Sequence, residues 1–235
     1  MPDASQLDDL DPFELLATER ARLDRFFSGL DEAGWDRPTR CTGWRAREMI
    51  AHLAGGELYN QACLDDKLGE LFERAGRAGA EGFQGFTDWT VSERAGRPPT
   101  EVLDEWRRAS SDTLRRLREH GRDGTIPTSA GPYPAGLQAF HLAIEDATHA
   151  DDLGAPVDPD EAADRLAWRA TVSRFGVTET GKPVELEARG DRMLVRSGGQ
   201  EAALSQDELV QAAVARLDAD HPLPAGLREA LRAFA

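Results

Sequence analysis

Cysteine is nearly missing from this chain: Cys41 and Cys63 are the only two in 235 residues. That excludes a disulfide framework and a cysteine-rich metal site. Lysine is equally scarce, with Lys67 and Lys182 alone, so the basic residues are almost all arginine. Positive charge is in deficit overall, 28 Lys+Arg against 43 Asp+Glu, for a formal charge of −15. A surface of that sign repels phosphate backbones and anionic lipid, so the expected partners include neither nucleic acid nor membrane. No apolar run approaches the roughly 20 residues that a bilayer-spanning helix needs. The opening stretch MPDASQLDDLDPFELL is acidic where a secretory leader is basic and then apolar, which predicts a cytoplasmic protein. What is present, 40% hydrophobic and 30% charged residues, is the composition of a globular protein with a real core. The length fits one large domain, or a medium one followed by a small one.

The first two thirds carry helical patterning. Asp11-Pro12 reads as an N-cap and first helical position, and Phe13, Leu16, Leu23, Phe27 and Leu30 recur at helical spacing. That amphipathic helix is expected to end between Gly29 and Gly34. A second helix is predicted from about Trp44, with Met49, Ile50, Leu53 and Leu58 as its apolar stripe and Gly55-Gly56 open to a close neighbour. The stretch DDKLGELFERAGRAGA extends it or forms another helix, whereas the glycine-rich, aromatic AEGFQGFTDWTVSERAGRPP reads as loop. Pro98-Pro99-Thr100 opens a third long helix bearing Leu103, Trp106, Leu114 and Leu117, which His120-Gly121 closes. A polar loop then runs to Pro134, and a fourth long helix from there to Leu153 is stopped by Gly154, Pro156 and Pro159.

Four long amphipathic segments make a four-helix bundle over residues 1–156. Residues 157–235 differ in kind, with a short helix near 162–175, two alternating runs, VELEA and RMLVR, around Gly190-Asp191, and helices near 206–217 and 223–234. Together they predict a small α+β domain after a mainly α one. Trp44, Trp89, Trp106 and Trp168 are expected in the core or at a domain interface.

Chemistry-bearing residues concentrate on the second and fourth long helices. Of the five histidines, His52, His120, His141, His149 and His221, two fall with Glu145 on a single stripe of the fourth helix. His141, Glu145 and His149 stand at i, i+4 and i+8, beside the apolar stripe of Leu137, Phe140 and Ile144. His52 lies between Ala51 and Leu53 on an apolar helix, with Glu48 one turn before it as either a partner or a solvated charge. A Glu-x-x-x-His pair with one facing histidine supplies three nitrogen and oxygen ligands and leaves a fourth position open, the pattern of catalytic divalent metal sites. The same spacing is also common on solvated helix faces, so the residues alone leave both readings open.

The segment RPTRCTGWRAREMIAHLAGGE resembles the hallmark of the mycothiol-dependent maleylpyruvate isomerase family, within the DinB-like metal-binding superfamily. Pro38, Cys41, Gly43-Trp44 and Ala51-His52-Leu53 carry the likeness, and Glu145, His149 and Asp152 match a second hallmark on the fourth helix. The resemblance implies a DinB-like four-helix bundle followed by a small α+β domain. It also implies that His52, Glu145 and His149 hold Zn²⁺ or another divalent metal. It assigns the reactive sulfur to a small-molecule thiol, mycothiol, as cosubstrate, which leaves Cys41 and Cys63 as packing residues. The arginine bias fits the GC-rich coding of the actinobacteria that make this thiol. His141 is expected to line the pocket, and Arg216, at the end of a C-terminal helix, is implied to hold a carboxylate of substrate or thiol.

The chemistry so implied is thiolate attack on a small electrophile, either as S-transferase or as cis-trans isomerase, by a monomer or homodimer. Phe83, Phe86 and Trp89 in the aromatic stretch predict a pocket for a bulky apolar substrate rather than a small dicarboxylate. The alternative is a DinB-like protein that binds metal or ligand without catalysis.

Overall fold

A computed structural model describes residues 3–234. Among these, the chain divides into two units, one of Pro12–Pro156 and one that joins Met1–Asp11 to Val157–Ala235.

The larger unit is built on helices whose ends the local sequence dictates. Helix α1 (Pro12–Ser28) begins at a proline, which has no amide hydrogen to leave unsatisfied in the first turn. Helix α2 (Ala46–Leu64) is followed by α3 (Leu68–Arg77) and α4 (Gly82–Ser92), then by α5 (Pro99–His120) and α6 (Ala135–Leu153). Gly154 ends α6 in the left-handed conformation, φ +69°, that glycine adopts without strain. Helix α1 packs along α6 and α2 along α5, which closes the four-helix bundle. Its core is aromatic at one end: Phe27 stacks on Trp35 at 5.6 Å and meets Trp106 edge-on at 6.5 Å.

The bundle's middle is polar. Arg20 of α1 is buried and donates to Glu57 of α2, to Asp146 of α6 at 3.3 Å and to the Ser110 carbonyl of α5 at 2.5 Å. Thr113 of α5 donates to the other oxygen of Glu57 at 2.6 Å. One cation thus ties all four helices, and the two carboxylates with it are hydrogen-bonded rather than stranded. Burial pushes the Asp146 carboxyl up to about 8, against the pull of Arg20.

Two expectations for this unit need correction. Residues 82–92 form a helix, α4, not a loop. Gly55 is the reason it docks: a Cβ there would lie 2.4 Å from the Thr90 hydroxyl, so only glycine lets α4 approach α2 this closely. Arg94 then fixes its end, donating to the Thr90 and Ala54 carbonyls and to Glu105. The stretch before α6 is likewise not plain loop but a hairpin, β1 (Thr125–Thr128) with β2 (Gly131–Pro134).

In the smaller unit α7 (Pro159–Glu179) is longer than its sequence pattern promised. Asp158 caps it, accepting from the Asp160 amide at 3.0 Å, while Glu161 returns to the Asp158 amide at 3.0 Å. A three-stranded antiparallel sheet follows, β3 (Glu185–Arg189), β4 (Arg192–Ser197) and β5 (Gln200–Leu204), in the order β3-β4-β5. The third strand adds to the two expected. Helices α8 (Gln206–Ala213) and α9 (Ala225–Leu231) complete a core around Val177, Val195, Leu209 and Leu227. Gly176 of α7 is required there, because a Cβ would press 2.2 Å from the Phe234 ring. Of the five tryptophans, Trp35, Trp89, Trp106 and Trp168 are buried and Trp44 is half-buried. Among the described residues, no helix is long and apolar enough to cross a membrane.

Candidate metal centre

The loop Thr39–Trp44 is where this site starts. Thr39 accepts from the Cys41 amide and donates to the Trp44 carbonyl at 3.0 Å, and Gly43 turns the chain at φ +84°. The turn sets Trp44 against the His52 ring, centroids 5.0 Å apart, and brings Cys41 to Asp152. The motif residues therefore act as a frame that locates α2 against α6.

Across that frame, His52 of α2 faces Glu145 and His149 of α6. The Nε2 atoms of His52 and His149 lie 3.1 Å apart, and His52 Nε2 lies 3.3 Å from Glu145 Oε1. One donor atom from each of the three residues falls within 4.8 Å of the others. Two ligands each about 2.05 Å from a tetrahedral ion stand about 3.3 Å apart, so these separations fit a single small divalent ion. Zinc, with two imidazoles and one carboxylate, suits that donor set.

His149 is oriented from behind. Its Nδ1 donates to Asp152 Oδ2 at 3.2 Å, which leaves Nε2 unprotonated toward His52 and Glu145. The Cys41 thiol donates to the same carboxylate oxygen, also at 3.2 Å. Cys41, His149 and Asp152 could group around an ion too, but only by giving up this bond from the histidine. Burial holds His149 below the ordinary histidine range, the neutral state that ligation needs, although the Asp152 bond pulls the other way. Burial raises the Glu145 carboxyl, yet the His52 bond and the charges of His52, His149 and Arg20 outweigh it and hold it low.

His52 and Glu145 form part of the wall of a cavity of about 630 Å³ within the bundle unit. Tyr59 and Phe72 from α2 and α3 and Phe86 from α4 supply apolar walls. His141 lines it as well, its Nε2 3.1 Å from the Tyr133 hydroxyl of β2. Tyr59 reaches the hairpin through Ser129, hydroxyl to hydroxyl at 2.9 Å. Of the aromatic residues expected to shape a pocket, Phe83 and Phe86 line this one, whereas Trp89 is turned into the α2–α3 packing with Arg74 over its ring at 4.9 Å.

A family model described as the mycothiol maleylpyruvate isomerase N-terminal domain matches residues 16–154, which spans the bundle and all three candidate ligands. The chain belongs to this family. Two solved structures share the fold. One is a mycothiol-dependent maleylpyruvate isomerase, 18% identical with a TM-score of 0.59. The other is a histidine-to-alanine mutant of a mycothiol-dependent maleylpyruvate isomerase, 17% identical with a TM-score of 0.58. Each alignment covers 92% of this chain and 94% of the other. No curated protein matches the chain in sequence.

The remaining sequence candidates have contacts of their own. Glu48 is spent on Arg45, accepting from its backbone amide at 2.9 Å and its guanidinium at 2.7 Å, and is no partner of His52. Arg216 does not end a helix, since α8 stops at Ala213 and Ala215 turns at φ +54°; its guanidinium donates to the Val214 carbonyl at 3.2 Å. His120 is exposed, and His221 is taken by Glu208 at 3.2 Å and by the Leu223 amide. Cys63 is buried, which pushes its thiol up to about 11 and makes it a poor nucleophile.

Of the cavity's polar lining, the family resemblance named His52 and Glu145 and the sequence reading added His141, but neither singled out Asn60, Thr87 or Gln138. Asn60 stands at i+8 from His52 on α2, and Gln138 and His141 precede Glu145 at i−7 and i−4 on α6. That helical spacing was the available signal.

Proposed function

We propose that the chain is a divalent-metal enzyme in which mycothiol attacks a small electrophile, as a cis-trans isomerase of the maleylpyruvate isomerase type or as an S-transferase. The observation that carries this reading is the convergence of His52, Glu145 and His149 on one point beside a cavity that His52 and Glu145 line. Their donor set fits zinc. A zinc ion held there supplies Lewis acidity that brings a thiol's pKa into the neutral range.

The protein's own groups do the rest. His52 and Glu145 face the cavity, so a thiol engaged there meets an electrophile in the adjoining space. Asp152 keeps the His149 proton on Nδ1, which leaves Nε2 available to hold a metal ion. Phe72, Phe86 and the Tyr59 ring give the apolar side of this space, against which the body of an electrophile packs.

In the isomerase, the thiolate forms a C–S bond to the alkene carbon β to a carbonyl and the π pair moves onto the carbonyl oxygen. The former double bond rotates as a single bond. Return of the enolate pair expels the thiolate and leaves the trans alkene, with no net change in protons. In the transferase, the enolate is protonated instead and sulfur stays attached. His141, hydrogen-bonded to Tyr133 behind it, lies on this wall as a source of that proton.

The test is turnover of maleylpyruvate and of simple enones by zinc-loaded protein with and without mycothiol. The reading expects activity that needs both zinc and thiol and is lost in His52→Ala. Activity indifferent to thiol contradicts it, and tight zinc binding without thiol-dependent turnover of any electrophile would favour the non-catalytic alternative.

A further inference from the structure

Charge is distributed unevenly around the 630 Å³ cavity. Among the described residues, no arginine or lysine lines it, although the chain carries 28 of them. The buried guanidinium groups nearby are already engaged, Arg20 by Glu57, Asp146 and the Ser110 carbonyl and Arg94 by Glu105 and the Thr90 and Ala54 carbonyls. The charged group that does line the cavity is the Glu145 carboxylate, beside the imidazoles of His52 and His141.

What the cavity offers instead is neutral hydrogen bonding on an apolar frame. Asn60 is 6% exposed and Thr87 8%, and both line the space. Among the described residues, neither the Asn60 carboxamide nor the Thr87 hydroxyl has a hydrogen-bond partner, and the Gln138 carboxamide on the facing helix has none either. Asn60 and Thr87 offer these groups from buried side chains and Gln138 from a half-buried one, so a ligand that bonds them completes hydrogen bonds the protein leaves open. Tyr59, Phe72 and Phe86 lie around them as surfaces for a flat ring.

We propose that this cavity selects an uncharged electrophile, with a ring-sized apolar body and amide-like or carbonyl hydrogen-bonding groups, over a dicarboxylate such as maleylpyruvate. This deepens the proposed function and rests on it for the word electrophile. The physical reason is desolvation. A dianion entering the cavity would surrender two hydrated carboxylates and meet the positive charge of one metal ion already shared with Glu145, so at least one carboxylate stays uncompensated. A neutral ring-bearing amide pays no such cost and satisfies Asn60, Thr87 and Gln138.

Two measurements test it on the zinc-loaded protein. In the first, thiol-dependent kcat/KM is compared for maleylpyruvate and its dimethyl ester, which share the reacting double bond and differ in charge. The ester is expected to be preferred by about ten- to a hundredfold, the range set by one unpaired buried polar group. Preference for the diacid overturns the inference, and its loss in Arg216→Ala would show that a cation reaches the substrate after all.

The second measurement is calorimetric binding of acetanilide, neutral and ring-bearing, against phthalate, a ring-bearing dianion. Acetanilide is expected to bind at least about tenfold more tightly, and Gln138→Arg to reverse the order. Equal or tighter binding of phthalate, or binding of neither, overturns the inference. Acetanilide selectivity in a protein without thiol-dependent turnover would leave the cavity's preference standing and remove the enzymatic reading alone.

Discussion

Asp152 offers a sharp test of how the site is held together. Its side chain is fully buried, and one oxygen, Oδ2, accepts both the Nδ1 proton of His149 and the Cys41 thiol, each at 3.2 Å. Replacing it by alanine strands two donors and frees the imidazole to rotate or to move its proton to Nε2. Loss of such an outer partner costs about 10- to 100-fold in metal affinity. That corresponds to about 1.4–2.7 kcal/mol. Stranding the donors costs about 1–3 kcal/mol of stability, which is about 2–12 °C in Tm for a chain of this size. Asp152→Asn keeps an acceptor for His149, so most of the stability should survive. Its zinc affinity should still fall by about tenfold, because the charge that makes His149 a stronger ligand is gone. Competition for zinc against a chromophoric chelator reads the affinity, and circular dichroism reads the Tm. If Asp152→Ala stays folded and holds zinc as tightly as the wild type, His149 does not depend on this carboxylate and the ligand geometry is wrong.

The remaining predictions concern the frame. Arg20→Met removes the single cation from Glu57 and Asp146 and should cost about 3–5 kcal/mol. Thermal melting should show a Tm lower by about 6–20 °C, and adding Glu57→Gln with Asp146→Asn should recover part of it if uncompensated charge is the cause. Gly55→Ala drives a Cβ to 2.4 Å from the Thr90 hydroxyl, so α4 must shift. It should cost about 1–3 kcal/mol in chemical denaturation and weaken acetanilide binding, while Gly69→Ala on α3, which meets nothing within 4 Å and lies outside the cavity lining, should do neither. Glu208, at the start of α8, is held down to about 2 by the Ser205 amide first and then by His221 and Arg192. A depressed carboxylate stabilises the fold above its unfolded value of about 4.5 and loses that contribution as pH falls toward about 2. Glu208→Gln should therefore be less stable than wild type at pH 6, by under about 1 kcal/mol given its exposure, and equal to it near pH 2.

The parts of the fold that could be read from the chain are those where local and global signals agree. Helices α1, α5 and α6 have apolar residues at helical spacing and a proline or glycine at each boundary, so pattern and caps point the same way. Helix α4 has Gly82, Gly85, Thr87 and Thr90, all poor helix formers, and owes its form to docking on Gly55. The β1–β2 hairpin was hidden by Pro127, Pro132 and Pro134, residues that normally mark the absence of a strand. Strand β5 reads QEAAL, a helix-favouring composition that pairing with β4 overrides. The seating of the first residues with the C-terminal unit, through the turn at Ser5–Leu7 packed on α7, has no local signature at all.

The site was legible to a similar depth. Spacing on α6 placed Glu145 and His149 on one face, but nothing in the spacing says which face of α2 opposes it; the family resemblance nominated His52. The role of Cys41 and Asp152 as a support for His149 depends on the tertiary fold, 111 residues apart in the chain. The lining by Asn60, Thr87 and Gln138 depends on α4 being a helix, so missing the one hid the other.

The measurement that bears most directly on this account is the zinc content of the purified, reconstituted protein by elemental analysis, beside His52→Ala, Glu145→Ala and His149→Ala. The account predicts about one equivalent in the wild type and loss of tight binding in each variant with the helical signal retained. No bound metal in the wild type, or full retention in all three variants, would contradict it.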